Sequence, residues 1–369
     1  MPVSLDEYPI HQTPLSMRYV DSSDRNFYDR CYFNAHDRTG DIFLITGAGI
    51  YPQLGVKDAY AVVRRGNSQH VIRASDALDD ERLNLSVGPY RVEVVEPLHQ
   101  IHLVCEADSA GIGFDLTWRG SFPAVDEEHH ILRTGIRPIV EASRFAQLGS
   151  WEGELRVDGE TIVVSPDVWV GSRDRSWGIR PVGDGEPAGR PASDDPNAFG
   201  FYWLYVPVRF DDYSIMVIVQ EDGDGHRTLN DAVRILPDGR IEQLGWPRVN
   251  ITYRSGSRIP EHARIEMTEP DGQPLVMEVD ALLAVPLHVG CGYGGDPDWT
   301  HGQWRGRDWL EGATYDFTDP AVDARSPWGV IDHVGRATVN GDVGWGLFEH
   351  GTIGRHLPSG FADLGAVAP

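Results

Sequence analysis

Short runs of alternating apolar and polar residues, separated by turn-forming dipeptides, recur along most of the 369-residue chain. Residues 113–118 show the alternation clearly, as expected for a strand with one buried face. The dipeptide Asp158-Gly159 separates two such runs, and Asp-Gly is a preferred sequence for a type I′ hairpin turn. We find no long amphipathic helical pattern. The chain is therefore predicted to be all-β, a sandwich or barrel of many short antiparallel strands.

One loop-like stretch interrupts this series of strands. Residues 181–198 are rich in Gly, Pro, Asp and Ser, a composition typical of a linker. We therefore expect an irregular leader over residues 1–25, an N-terminal β domain over 26–180, a linker over 181–198 and a C-terminal β domain over 199–369. Each half is long enough to bury its own core. Residues 140–147 fit either a helical turn or a strand.

Two pentapeptides of the form Gly-x-Trp-x-Gly lie late in the two predicted halves, at residues 149–153 and 302–306. Each is followed by a segment rich in Trp, Gly and charged residues, at 169–178 and at 328–351. Such a repeat indicates that the halves are duplicates. Two short matches in a Gly- and Trp-rich chain also arise by chance.

Charge and cysteine content narrow the classes of partner. The net charge of −24 argues against nucleic acids and anionic membrane surfaces, because both require clustered Lys and Arg. The three cysteines are far apart in the sequence, which disfavours disulfides and zinc and favours a reducing, cytoplasmic environment. No apolar run reaches the roughly 20 residues of a membrane helix, and the N-terminus does not resemble a signal peptide. We expect no integral membrane association, and the sequence does not specify an oligomeric state.

The densest chemical signal is a run of three arginines and one aspartate within eight residues, next to two tryptophans. In a strand, Asp174 and Ser176 share one face. The other face carries Arg173, Arg175 and Trp177. If burial raises its pKa, Asp174 is suited to donate a proton to an alkene or a carbonyl group. An equally good interpretation is a structural Arg–Asp–Arg network that joins two strands or two domains.

A glycine-rich segment at residues 288–309 supplies further candidates. His301 is a candidate acid or base near the mouth of a pocket, and Trp304 is a candidate ligand contact. The segment lacks the ligand spacing of zinc or facial-triad sites, so we expect no metal. For most of its positions a surface loop packed by its own Trp residues is the simpler interpretation.

Residues 199–207 are strongly aromatic. Alternation places Trp203 and Tyr205 on one face of a strand and Tyr202 on the other. One face belongs to the core, and the other is free to line an apolar cavity, so all three are candidate ligand contacts. The chain contains no Gly-x-Ser-x-Gly elbow, P-loop or His-Glu-x-x-His motif. Nucleotide-driven chemistry, zinc proteolysis and α/β-hydrolase catalysis are therefore disfavoured.

The segments around 149–207 and 328–351 resemble the double lipocalin-like superfamily. That group includes the carotenoid 1,2-hydratases (hydroxyneurosporene synthases), the AttH-like proteins and, more distantly, tocopherol cyclase. The chain looks closest to a bacterial branch with no assigned reaction. The resemblance covers most of the chain in architecture. It implies two lipocalin-like β-barrel domains packed together, with an apolar pocket in or between them, and protonation of isoprenoid alkenes without a redox cofactor.

The resemblance also implies roles for residues. Asp174 would be the acid or its orienting partner, in a field shaped by the neighbouring Arg and Trp side chains, and the aromatic rings of residues 202–205 would stabilise a substrate cation. We therefore expect a cofactor-independent hydratase, cyclase or isomerase for a hydrophobic isoprenoid- or steroid-like molecule. The alternatives are a non-catalytic carrier of such a ligand, as lipocalin-type barrels commonly are, and a pericyclic, Diels–Alderase-like role that needs no acid.

Overall fold

A computed structural model describes residues 1–11, 16, 19–186, 189, 193–195 and 198–369 of the chain. The predicted leader and the predicted linker lie partly outside these described residues. Within them the protein is almost entirely β, as predicted. None of the helices among the described residues has the length and hydropathy needed to cross a bilayer.

The strands of the first half, in chain order, are β1 (Phe27–His36), β2 (Ile42–Tyr51), β3 (Val56–Arg65), β4 (Ser68–Ala77), β5 (Ser86–Val87), β6 (Tyr90–Glu96), β7 (Gln100–Ala107), β8 (Ile112–Gly120), β9 (Val125–Asp126), β10 (His130–Thr134), β11 (Arg137–Val157), β12 (Glu160–Val164) and β13 (Val170–Ile179). The second half contributes β14 (Gly200–Arg209), β15 (Ser214–Asp222), β16 (Arg227–Ile235), β17 (Ile241–Gln243), β18 (Arg248–Tyr253), β19 (Pro260–Thr268), β20 (Pro274–Pro286), β21 (Trp309–Asp316), β22 (Ile331–Val339) and β23 (Asp342–Gly354). Short helical turns occur at Ser4–Glu7, Asp108–Ala110, Ser326–Trp328 and Leu357–Ser359, and the α-helix α1 spans Pro320–Asp323.

The two halves share one topology. The described residues form two antiparallel sheets, of 14 and nine strands. The central strand order of the first sheet is β4-β3-β2-β1-β13-β11-β8-β7-β6. The second sheet has the order β17-β16-β15-β14-β23-β22-β20-β19-β18. The two orders coincide when β1 is matched with β14 and β13 with β23, which supports the predicted duplication.

The pentapeptides that suggested the duplication do not occupy equivalent positions. Trp151 is buried on β11, whereas Trp304 is half exposed in the loop before β21. The segments that follow them correspond better, because residues 169–178 include most of β13 and residues 328–351 include β22 and most of β23. Residues 140–147, which fitted either a helical turn or a strand, form part of the long strand β11.

Strand β21 crosses from the second half to the first sheet. It pairs antiparallel with β4, from Trp309 opposite Ser75 to Asp316 opposite Ser68. No local pattern predicts this strand, because its pairing joins segments more than 200 residues apart in the chain. The strand covers the β4 edge and connects the two halves through backbone hydrogen bonds.

Buried apolar residues form three main layers. One layer fills the interior of the first sheet and another that of the second. The middle layer draws side chains from both sheets, such as Phe43 and Ile45 from the first and Tyr205 and Met216 from the second. The halves are therefore joined by a shared hydrophobic core, and the site described below lies within this middle layer.

Candidate active site

A cavity of about 370 Å³ lies between the two sheets. The topologically equivalent strands β1 and β13 of the first sheet and β14 and β23 of the second supply many of its walls. Much of the lining is apolar or aromatic; it includes Leu132, Ile139, Val140, Phe199, Phe201, Val330 and Ile353. A concave, mostly apolar space with a few converging polar groups is typical of a small-molecule site.

Strand register explains which polar groups converge in the first half. Tyr32 of β1 lies opposite Asp174 of β13, and Arg30 lies opposite Ser176. On the other side of β13, Arg144 of β11 also lies opposite Ser176. All five side chains line the cavity. Since successive residues of a strand alternate between faces, this single face carries one acid and two arginines.

Asp174 is the acid of the first half. Burial raises its pKa from 3.8 to about 6, and nearby Glu127 adds to the increase, while the positive charge of Arg144 opposes it. The Arg144 guanidinium lies 3.7 Å from the Asp174 carboxyl oxygen. Arg144 is also bound to Glu127, whose Oε2 lies 3.0 Å from Nε2 of His130. Asp174 is therefore both a cavity-facing acid and a member of an ion network, which combines the two interpretations of the sequence.

The second half contributes an acid in the equivalent place. Glu349 of β23 lies opposite Tyr205 of β14, as Asp174 lies opposite Tyr32. Tyr32 and Tyr205 are both the sixth residue of their strands. Glu349 lines the cavity, and Asp332 of β22 lies directly opposite it on its other side. The duplication thus places one acid from each half in the same cavity.

Glu349, which is half-buried, and the buried Asp332 form a carboxyl pair. The Tyr32 hydroxyl donates a hydrogen bond of 2.5 Å to Asp332 Oδ2, and the indole N–H of Trp203 donates one of 2.5 Å to Glu349 Oε1. Burial raises the pKa of both, that of Glu349 to about 7 and that of Asp332 well above its ordinary value, and their mutual repulsion adds to the shift of Asp332. Because two adjacent carboxylates resist ionising together, the pair retains a proton near neutral pH.

Sequence reasoning missed this pair. Asp332 and Glu349 are single acids within largely buried strands, with no local cluster around them. The signal that could have found Glu349 is the repeat. Strand β23 corresponds to β13, and its residue Glu349 lies opposite Tyr205 of β14.

A basic flank borders the cavity near Tyr293. Arg30 and Arg180 both line the cavity, and their guanidinium carbons lie 5.2 and 5.6 Å from the centre of the Tyr293 ring. The predicted acid or base His301 lies behind this flank, where its Nε2 is 3.4 Å from Arg30 Nη2. Burial and the charge of Arg30 lower the pKa of His301 well below its ordinary value. His301 is therefore neutral, and it does not line the cavity.

Three predicted site residues lie on the opposite face of β13, as the alternation required. Arg173 binds both carboxylate oxygens of Glu7, at 2.6 and 2.8 Å. Arg175 donates a hydrogen bond of 2.8 Å to Asp29. The Trp177 ring stacks on His11 at 3.5 Å. These side chains hold the N-terminal segment against the sheet, and none of them lines the cavity.

Of the remaining predicted contacts, Trp203 lines the cavity and Tyr202, Tyr205 and Trp304 do not. Tyr202 lies on the other face of β14, in the core of the second sheet. The Tyr205 ring faces the guanidinium of Arg144 at 4.2 Å instead of the open space. Trp304 is 50% exposed on the surface. The structure thus brings Asp174 and Trp203 together out of the nine residues that the sequence singled out.

A second recess, of about 570 Å³, has a different character. It is lined by Asp126, Glu127, Glu128, Asn230, Asp231, Gln243, Gly245 and Trp246. Because its lining is almost entirely polar and acidic, it offers little surface to a hydrophobic ligand.

The described residues bring one group of metal-ligating side chains together, Asp222, Asp224 and His226, at a largely exposed turn. Asp222 accepts hydrogen bonds from the backbone N–H groups of the other two residues, so turn formation accounts for the cluster. In the cavity, Arg30, Arg144 and Arg180 accompany the carboxyls, and their positive charges disfavour a cation there.

Comparison with known proteins supports the architecture. The chain belongs to a family of unknown function (DUF8625), whose model it matches over residues 3–362. A comparison with curated protein sequences finds no match. A solved structure of a protein from Nitrosomonas europaea assigned to AttH is 12% identical, with a TM-score of 0.55, over 88% of this chain and 92% of that one. At this identity the likeness shows a shared fold, in agreement with the predicted double lipocalin-like architecture.

Two structures of CghA are also similar. The complex of CghA with Sch210972 is 14% identical, with a TM-score of 0.49, over 88% of each chain. A structure described only as CghA is likewise 14% identical, with a TM-score of 0.49, over 90% of this chain and 89% of that one.

Proposed function

We propose that this member of the DUF8625 family is a cofactor-independent enzyme, a hydratase, cyclase or isomerase, that protonates a hydrophobic isoprenoid- or steroid-like small molecule. One observation carries the proposal: acids from both halves, Asp174 and Glu349, face the same apolar cavity, and burial raises the pKa of each. Perturbed carboxyls that face a cleft are expected of a general acid and are costly in a protein that only stores a ligand.

The cavity accounts for the class of ligand. Its volume of about 370 Å³ lies at the lower end of the range of about 300–1,000 Å³ for small-molecule sites. Aliphatic and aromatic side chains make up most of its lining. A compact hydrophobic molecule therefore fits better than a long, extended polyene.

The proposed chemical step is transfer of the Asp174 proton to an alkene or carbonyl of the bound molecule. The proton forms a bond to the substrate, and the carboxyl becomes a carboxylate that faces Arg144 at 3.7 Å. This guanidinium stabilises the charge that develops during the transfer. On an alkene the product is a carbocation, which is attacked by water or by a second alkene, or loses a proton elsewhere. The final cation releases one proton to the carboxyl pair or to water, and the Asp174 carboxylate takes up one proton from its surroundings, so the acid is restored and no net proton is consumed.

The carboxyl pair of Glu349 and Asp332 is positioned for the complementary transfer. Glu349 lines the cavity from the other sheet, and Asp332 behind it is bound to Tyr32. Because the pair shares a proton near neutral pH, it can accept or donate one with little change in its surroundings. Asp174 and the pair thus form an acid and a base on two walls of one cavity.

The carrier function makes a different use of the same cavity. A carrier needs apolar walls and gains nothing from acids of raised pKa, since each buried carboxyl costs folding free energy. Asp174 is bound to Arg144, as expected for a structural network, but it also lines the cavity. The exposure of both acids to the cavity favours the enzyme.

Variants of the two acids test the proposal. Wild type, Asp174→Asn and Glu349→Gln are incubated with a panel of isoprenoid and steroid lipids, and mass spectrometry detects water addition, cyclisation or isomerisation. General acid catalysis contributes about 100- to 10,000-fold, so we expect each variant to lose at least about 100-fold in kcat. Both substitutions replace a buried acid with a neutral amide of the same shape, and we expect the variants to fold.

Asp231→Asn is the matched control. Burial also raises the pKa of Asp231, but this residue lies in the acidic recess and not in the cavity. Its substitution should leave turnover unchanged. Lipids that bind and remain unchanged in the presence of wild type would overturn the enzyme in favour of the carrier. Full turnover by Asp174→Asn would remove Asp174 from the acid role.

A further inference from the structure

The Arg30 guanidinium is buried at the edge of the cavity without an acidic partner. Arg30 is 4% exposed. Its Nη2 lies 3.4 Å from the Tyr293 hydroxyl and 3.4 Å from Nε2 of His301, which are both uncharged groups. Its Nε and Nη1 have no hydrogen-bond partner among the described residues. A buried charge that lacks a counter-charge is costly, so an anionic ligand that supplies the counter-charge would relieve this cost on binding.

The nearby acids are already engaged by other groups. Asp58, a buried carboxyl whose charge interacts with that of Arg30 without forming an ion pair, accepts a hydrogen bond of 3.0 Å from the Tyr51 hydroxyl and one of 2.6 Å from the Gly302 backbone N–H. Asp174 lies on β13 two residues before Ser176, which is the residue opposite Arg30, and Asp174 is paired with Arg144. No described carboxylate forms an ion pair with Arg30.

A second cation lies on the same flank. Arg180 lines the cavity, and its guanidinium carbon lies 5.5 Å from the Tyr28 ring centre and 5.6 Å from that of Tyr293. No described carboxylate pairs with this guanidinium either. Two arginines that converge on one tyrosine, both facing an apolar space, form a subsite for an anion with a hydrophobic body.

We propose that the ligand is a hydrophobic carboxylic acid whose carboxylate is bound by Arg30 and Arg180. This inference rests on the proposed function, because it names the substrate class of the same cavity. The hydrocarbon body then extends along the apolar walls toward Asp174 and Glu349. The anionic group and the reacting carbon are held at different places, so the arginines orient the molecule for protonation.

Matched acids and esters test this subsite. Calorimetric titration at pH 7 compares farnesoic acid with methyl farnesoate, and lithocholic acid with its methyl ester, on the full-length protein. Hydrogen bonds to charged groups contribute about 1.5–3 kcal/mol. We therefore expect at least one acid to bind about tenfold or more tightly than its own ester. In Arg30→Met the ratio of acid affinity to ester affinity should fall to about one, while the ester affinity stays unchanged. Arg30→Lys should retain part of the preference for the acid.

Arg64→Met is the matched control. Arg64 is also a largely buried arginine of the first sheet, stacks on an aromatic ring (Phe317, at 3.8 Å) and has one unpartnered nitrogen, but it does not line the cavity. This variant should keep the full acid preference. Circular dichroism checks that each variant is folded, and Arg180→Met tests the subsite where Arg30→Met does not fold.

Three results would overturn the inference: equal or tighter binding of the esters in both pairs, no measurable binding of either acid, or a preference that survives in the Arg30→Met/Arg180→Met double variant. The readout is affinity, whereas the proposed function is read as turnover, so the two fail separately. An acid preference without any product supports the subsite and contradicts the enzyme. Turnover of neutral lipids without a preference for acids supports the enzyme and contradicts the subsite.

Discussion

At the scale of single residues, the site is defined by carboxyls that burial keeps partly protonated. Asp174 and Glu349 face an apolar space, so water does not stabilise their charged forms. Their pKa values, about 6 and about 7, lie where a general acid works best, because the acid form is present and the proton is readily released. The positive charge of Arg144 opposes the rise in the pKa of Asp174. In the proposed reaction the same charge stabilises the Asp174 carboxylate after proton transfer.

These pKa values predict the pH dependence of the reaction. Asp174 is active as an acid in its protonated form, so kcat/KM should decline as the pH rises through the pKa of Asp174, about 6. The folded-state pKa of Asp174 is raised, so the stability that its protonation contributes is also present at low pH and is lost as the pH rises through about 6. Initial rates between pH 4.5 and 9 measure the profile. A rate that increases with pH across this interval would contradict an acid role for Asp174.

At the scale of elements, β13 uses its two faces for different purposes. Asp174 and Ser176 line the cavity, while Arg173 and Arg175 bind the N-terminal residue Glu7 and Asp29 of β1. The Glu7–Arg173 contact is almost fully buried, with side-chain exposures of 4% and 1%. The turn Ser4–Glu7 is therefore held on the first sheet by an ion pair directly behind the cavity-facing side of β13.

Removing one member of this ion pair should destabilise the protein. Glu7→Gln leaves the Arg173 charge buried without a counter-charge, and breaking a buried pair in this way costs about 3–5 kcal/mol. Urea unfolding followed by circular dichroism measures the free energy of unfolding. The control is Glu160→Gln, which removes the exposed ion pair with Arg65 and should cost less than about 1 kcal/mol. Equal effects of the two substitutions would show that the Glu7–Arg173 pair does not hold the turn.

Elements also show what the sequence could predict. Alternation and turn dipeptides predicted the short strands and the all-β class, because both signals are local. Residues 140–147 were ambiguous, and they belong to the 21-residue strand β11. Strand β21 was missed because its partner β4 is distant in the chain. Asp174 was found within a dense local cluster, whereas Arg144, Asp332 and Glu349 reach the cavity only through strand register, which composition and spacing do not encode.

At the scale of the whole molecule, duplication explains where the site lies. The equivalent strands β13 and β23 meet at the seam between the sheets, and each presents an acid opposite the sixth residue, a tyrosine, of its neighbouring strand. The halves differ in detail: the fourth residue of its strand, two residues before the tyrosine, is Arg30 in β1 and Trp203 in β14. One half thus supplies the positive charges and the other more of the aromatic surface.

The seam between the halves also fixes the shape of the cavity. The middle hydrophobic layer surrounds the cavity, and β21 connects the second half to the edge of the first sheet. Relative motion of the halves would separate Asp174 from Glu349, so both the shared core and the crossing strand preserve the geometry of the site.

The most direct test of the central claim is isotope incorporation from heavy water. The protein is incubated in D₂O with the lipid panel, and mass spectrometry measures deuterium bound to carbon in each recovered lipid. If Asp174 protonates an alkene, wild type introduces carbon-bound deuterium into a product, and Asp174→Asn does so at least about 100-fold more slowly. Lipids that are recovered from the wild-type protein without carbon-bound deuterium would contradict protonation as the function of this cavity.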